Sequence, residues 1–191
     1  MSTVRDTNTE KNLMAAFAGE SQARNRYDFF AKQAEKEGLI QIARVFAETA
    51  EQERSHAKQL YRKLAGGAVE ITASFAAAPI GTTAENLAAA ADGELHEHSA
   101  LYPAAAEVAA AEGFDEIAAL YRAIAVAERH HERRFRALLE RLERGETHRR
   151  AAPTTWVCEK CGFTFEGAEP PPRCPACGHP RGHFEILAEG W

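Results

Sequence analysis

Two glutamate–histidine pairs stand where a helix should keep its core side chains, and they recur at a fixed interval. Around "IAVAERHHERRF" (124–135), Ile117, Leu120, Tyr121 and Ile124 lead in, and Phe135, Leu138, Leu139 and Leu142 follow. Steps of three and four residues put these on one face of an amphipathic helix. Continued through the middle, that face meets Glu128 and His131, which share it because they are three residues apart. The segment "EKEGLIQIARVFAETAEQERSH" (35–56) lies over "AAEGFDEIAALYRAIAVAERHH" (110–131) at a shift of 75, so Glu53 falls on Glu128 and His56 on His131. Upstream, "GESQ" (19–22) lies over "GELH" (93–96) at a shift of 74, which puts Glu20 on Glu94. The chain is expected to be a duplicated helical hairpin with at least one core carboxylate per helix.

The helical patterns cover about 9–37, 39–65, 84–112 and 114–145. Gly38 and Gly113 interrupt the hairpins, Gly66-Gly67 is a C-terminal stop, and Thr83 is the expected N-cap of the third helix. Pro103 should kink or loosen that helix. A helix of ~26 residues is ~39 Å long. The eighteen residues 66–83 reach ~60 Å when extended, enough to cross the whole bundle. The expected fold is mainly α, a four-helix bundle with one long crossover.

An ionised carboxylate buried without a partner costs many kcal/mol or takes up a proton. Apart from Arg24, the stripes offer no basic side chain to neutralise Glu20, Glu53, Glu94 and Glu128, so metal ions are the simplest answer. One glutamate from each of two helices plus Glu-x-x-His from each of the other two is the pattern of di-iron and di-manganese bundles. Zinc normally takes fewer carboxylates. Glu97 shares a face with Glu94, while its counterpart in the first hairpin is Ala23; His98 competes for a ligand role, and His130 is turned away. Five carboxylates (−5) and two imidazoles would change net charge only from −1 to +1 between two ferrous (+4) and two ferric (+6) ions, tolerable for a buried redox site. The plain alternative is that these residues flank the helices and face water.

After Gly145 the texture changes. All four cysteines lie between 158 and 177, as C-x2-C-x12-C-x2-C. Two such knuckles, Cys158/Cys161 and Cys174/Cys177, signal a tetrahedral thiolate site, for zinc or iron; spacing does not choose. The expected organisation is a bundle over 1–146, a linker over 147–155 and a metal-bound domain over 156–191. That last segment is too small to fold reliably without a staple. Trp156, Phe163, Phe165 and Phe184 would form its small core. A formal net charge of −5 gives no reason to expect nucleic-acid binding. No apolar run approaches a membrane span, and the N-terminus lacks a secretory apolar segment, so a cytoplasmic location is expected.

Together "AFAGESQARNRY" (16–27), "AEQERSH" (50–56), "GELHE" (93–97), "AERHH" (127–131) and the two knuckles resemble the rubrerythrin family over nearly the entire chain. The resemblance implies a ferritin-like bundle with an oxo-bridged di-iron centre and a rubredoxin-like FeS4 domain. It implies reduction of hydrogen peroxide to water, in protection against oxidative stress. Electrons would come from an NAD(P)H-dependent reductase or rubredoxin through the FeS4 iron. It implies metal ligation by Glu20, Glu53, His56, Glu94, Glu97, Glu128, His131 and the four cysteines. Glu97 and His56 would exchange on one iron with redox state, with Tyr27 and Tyr102 hydrogen-bonding near the site; read from the residues alone, both tyrosines are equally core aromatics. A homodimer is also implied, one chain's FeS4 approaching the other's di-iron site. Two rivals are a ferroxidase bundle that handles iron and a bundle whose tail is a zinc-ribbon docking module.

Overall fold

The computed structural model describes residues 3–190. Helix α1 (Asn8–Lys36) turns back through Gly38 into α2 (Ile40–Tyr61). After a crossover over 62–82, α3 (Thr83–His96), a π-helical segment (Glu97–Leu101) and α4 (Tyr102–Ala111) run on as one rod, and α5 (Asp115–Glu143) returns beside it. The result is the expected ferritin-like four-helix bundle. Gly38 and Gly113 have φ of 76° and 82°. Around them Gly38 and Leu39 donate to Glu35 and Ala34, and Gly113 and Phe114 donate to Ala110 and Ala109. This paired closure needs a left-handed residue, which glycine supplies without strain, and the repeat supplies it twice.

The elbows also tie the hairpins together. Glu112 accepts from the backbone N–H of Asn8 and Thr9, at 3.1 and 2.8 Å, and from the Thr9 hydroxyl at 2.6 Å. Its repeat counterpart Glu37 accepts from the N–H of Thr83 at 3.1 Å. Each hairpin's elbow carboxylate therefore satisfies unpaired donors at the positive N-terminus of the other hairpin.

Three local features depart from the sequence expectation or refine it. The N-cap of α3 is Thr82 rather than Thr83: Thr82 and Glu85 form a reciprocal capping box, and Thr83 is already helical and buried. Helix α2 stops at Tyr61 rather than near 65, because Lys63 and Leu64 donate three residues back before Gly66 and Gly67 take positive φ. Loosening near Pro103 takes the form of the π segment, in which Tyr102 donates to Glu97, five residues back. The offset between repeats is 74 at Glu20/Glu94 and 75 at Tyr27/Tyr102. The extra residue lies in this interval and is absorbed by the wider winding.

Two apolar clusters flank the carboxylate layer. One contains Tyr27, Phe30, Phe46 and Phe135, the other Leu13, Leu60, Tyr102, Tyr121 and Ile124. The tail is a three-stranded antiparallel sheet in the order β2 (Thr164–Gly167), β1 (Thr154–Cys158), β3 (Phe184–Ile186). Strand β1 begins two residues ahead of Trp156, and the Trp156 indole donates to Gly167 at 2.9 Å. The tail sits on the α1–α2 elbow. Arg44 pairs with Glu185 and Glu159, and a Cβ on Gly182 would lie 2.2 Å from the Gly38 carbonyl oxygen. No helix among the described residues is long and apolar enough to cross a membrane.

Candidate metal centre

The structure gathers six of the seven bundle residues into two overlapping groups. Glu20, Glu53, His56 and Glu128 form one; Glu53, Glu94, Glu128 and His131 form the other, each with ligand atoms within 4.8 Å of one another. Glu53 and Glu128 belong to both, one oxygen on each side. His56 Nδ1 is 3.0 Å from Glu53 Oε2 and 2.9 Å from Glu128 Oε1. His131 Nδ1 is 3.1 Å from Glu53 Oε1 and 2.8 Å from Glu128 Oε2. The outer carboxylates Glu20 and Glu94 each stand 3.7 Å from their own histidine. The duplication seen in the sequence is thus a two-fold arrangement of ligands around a pair of points.

The donor set fits metal. Glu53 Oε1, Glu94 Oε2, both Glu128 oxygens and His131 Nδ1 are buried without a hydrogen-bond partner. Several of these atoms approach each other closely, yet at angles that make no hydrogen bond, as lone pairs aimed at a common point would. Buried polar atoms left this way are costly unless something occupies the point they face.

The tyrosines complete the symmetry. The Tyr27 hydroxyl donates to Glu94 Oε1 at 2.5 Å, and the Tyr102 hydroxyl donates to Glu20 Oε1. Each tyrosine therefore reaches across to the outer carboxylate of the other hairpin. Burial, then the surrounding carboxylates, push both phenols well above their ordinary range, so both remain donors.

Proton affinities reflect the crowding. Burial pushes Glu94 up to about 8 and holds Glu20 and Glu97 well above the ordinary carboxylate range. For Glu53 burial works the same way, but His131 and His56 outweigh it and bring the carboxyl down to about 2. Burial lowers both histidines, yet the glutamates dominate, pushing His131 up to about 12 and His56 higher still.

Glu97 stands apart. It lies outside both groups and, unlike the four buried carboxylates, is only half-buried, at the edge of a cavity. His98 turns away to Glu132, at 2.7 Å. Arg24 lies on the outside with Asp28 and Glu51, each at 3.7 Å, and His130 is exposed. The Tyr–Glu crossing had a signal in the residues themselves, since Tyr27 falls on Tyr102 in the repeat. Arg44, at the seat of the tail, had none.

In the tail, Cys158 and Cys177 sulfurs are 3.7 Å apart and those of Cys161 and Cys174 are 3.6 Å apart. Four sulfurs at ~2.3 Å from a metal give tetrahedral edges of ~3.8 Å. Gly162 and Gly178, with φ of 75° and 74°, let each knuckle turn back, their N–H groups bonding to the carbonyls of Cys158 and Cys174.

Known proteins share both halves. The sequence profile of the Rubrerythrin family matches residues 11–139, and that of the rubrerythrin rubredoxin-like domain matches 156–185. The chain is 49% identical to a rubrerythrin of Nitratidesulfovibrio vulgaris over the full length of both, and 55% identical to one of Porphyromonas gingivalis over 96% of this chain and 92% of that one. The fully reduced, all-ferrous state of nigerythrin superimposes with a TM-score of 0.64 at 30% identity, over 97% of this chain and 92% of that one. With the residues of a di-iron carboxylate site and of a four-cysteine rubredoxin-like site both in place, the chain belongs to the rubrerythrin family.

Proposed function

We infer that this oxidoreductase is a non-haem di-iron peroxidase that reduces hydrogen peroxide to water. The observation that carries it is the pair of ligand groups sharing Glu53 and Glu128, on the same chain as a four-thiolate centre. An iron pair bound there would supply two electrons, one from each ion. Glu53 and Glu128 would hold both ions, Glu20 and His56 one of them, and Glu94 and His131 the other. Glu97, close but outside both groups, is positioned to exchange with His56 as the site changes redox state. The Tyr27 and Tyr102 hydroxyls fix the outer carboxylates and stay protonated beside the reacting atoms.

In this reading residues 1–146 are the catalytic domain, 147–153 the linker, shortened from the expected 147–155 because β1 begins at Thr154, and 154–191 the relay. Cys158, Cys161, Cys174 and Cys177 would hold one iron, able to supply one electron at a time. Electrons enter from an NAD(P)H-dependent reductase or rubredoxin, and the working unit is a homodimer in the cytoplasm, protecting against oxidative stress.

The test separates the two centres. Replacing Cys161 with serine should abolish steady-state turnover with NAD(P)H and a reductase. The chemically reduced bundle should still consume about one peroxide per two irons in a single turnover. Loss of that single turnover with both bundle ions still bound would overturn the division of labour. Undiminished steady-state turnover would take the tail off the electron path.

A further inference from the structure

We propose that the cavity beside Glu97 admits hydroperoxides carrying an apolar alkyl or aryl group, as a second substrate class for the same centre. The proposal rests on the peroxidase reading above. A cavity of about 420 Å³ lies between α1, the π segment, α4 and the crossover. Hydrogen peroxide needs little more room than a water, ~30 Å³ in the liquid, whereas cavities of this size hold organic ligands.

The wall is apolar and built from small side chains. Ala15 and Gly19 come from α1, Ala105 and Val108 from α4, Leu101 from the π segment and Phe75 from the crossover. Phe75 and Leu101 are exposed at its rim. The Phe75 ring lies over Gly19, its Cε1 at ordinary contact distance, 3.8 Å, from where a Cβ would stand. Gln22 pins this stretch of crossover by donating to the Ala76 carbonyl at 2.6 Å. Its polar lining includes Arg26, His96, Glu97 and Tyr102, the last two being the candidate catalytic groups on that rod. An amphipathic peroxide would therefore place its O–O group at Glu97 and Tyr102 and its apolar group along Ala15, Ala105 and Val108. The reaction balances as ROOH + 2 e⁻ + 2 H⁺ → ROH + H₂O. The O–O bond breaks, the two electrons would come from an iron pair bound by the bundle carboxylates and histidines, and the protons come from solvent.

Binding is read first, on the metal-loaded full chain kept reduced, with 2-phenyl-2-propanol, the alcohol product of cumene hydroperoxide. Saturable NMR shifts of the Leu101, Ala105 and Val108 methyls are expected; their absence overturns the proposal. Turnover is then compared for cumene hydroperoxide and hydrogen peroxide. Ala15→Phe, which fills the cavity, should lower the ratio of kcat/KM for the organic peroxide to that for hydrogen peroxide by about tenfold or more. Val108→Trp makes the same test from α4. An unchanged ratio in both overturns the proposal. Hydrogen peroxide turnover without organic turnover in the unaltered chain overturns it while leaving the peroxidase reading standing; loss of both substrates overturns both.

Discussion

Loading the bundle with divalent metal should expel about four protons per chain near pH 7. Without metal, burial keeps Glu20 and Glu94 protonated, because their carboxyls lie well above the ordinary range. The glutamates keep His56 and His131 protonated as imidazolium. A ligand must present a lone pair, so each group gives up its proton on binding, and two carboxylic acids plus two imidazoliums make four. Glu53, already ionised with a carboxyl at about 2, adds none. The sign follows: binding that releases protons strengthens as pH rises. At 2.303RT per proton per pH unit, four protons amount to about 5.5 kcal/mol per pH unit for the pair of ions. Above pH about 8 Glu94 has lost its proton in the metal-free chain, so the slope should fall by one. The assay is anaerobic titration of the metal-free protein with Mn²⁺, in weak buffer with an indicator dye, at several pH values. Release of one proton or none would refute the reasoning.

Three further outcomes are expected. Glu112→Ala removes the acceptor for Asn8, Thr9 and the Thr9 hydroxyl and should cost the bundle about 1 kcal/mol, read as a lower Tm with an unchanged helical spectrum. Cys174→Ser should unfold the tail, whose metal supplies folding free energy on the order of 10 kcal/mol; amide exchange would show the tail losing protection while the bundle keeps it. Gly182→Val puts a side chain against the Gly38 carbonyl and should free the tail from the α1–α2 elbow, giving it a shorter rotational correlation time than the bundle in ¹⁵N relaxation.

The bundle and the six side chains it gathers were legible in the sequence because a duplicated stripe leaves the same mark twice. Apolar residues recur at steps of three and four, and charged residues interrupt them at matching places, which propensity alone would not arrange. The cysteine knuckles were legible because four thiolates around one ion constrain both spacing and glycine placement. What escaped depends on contacts between distant segments. The pairing of Glu112 with Asn8 and Thr9 spans more than a hundred residues, and no local pattern announces it. The Thr82 cap differs from the expected Thr83 by one position, and either threonine suits the composition; the reach of Glu85 back to Thr82 decides it. The cavity is roofed by a crossover without periodicity, so its wall exists only once Phe75 has been laid over Gly19.

The duplication also explains why the site has two unlike sides. Glu20 and Glu94, Glu53 and Glu128, His56 and His131, and Tyr27 and Tyr102 are all repeat pairs, so six candidate ligands and two tyrosines form a symmetric cage. Glu97 has no partner: its counterpart Ala23 is buried against Tyr27 and Phe30. The extra residue in the third helix widens it into the π segment that begins at Glu97, and the cavity opens on that side. A molecule entering from the cavity meets Glu97 before the buried carboxylates. Glu97→Ala should therefore separate holding metal from using it. The six caged side chains remain, so the variant should still bind two ions per chain, releasing about four protons as the unaltered chain does. Its peroxide turnover should fall by at least about tenfold, the loss typical when a group supporting a metal site is removed. Metal analysis and turnover on one preparation check both. Loss of both ions would make Glu97 part of the cage, and undiminished turnover with both ions present would leave the asymmetry without a role in the reaction.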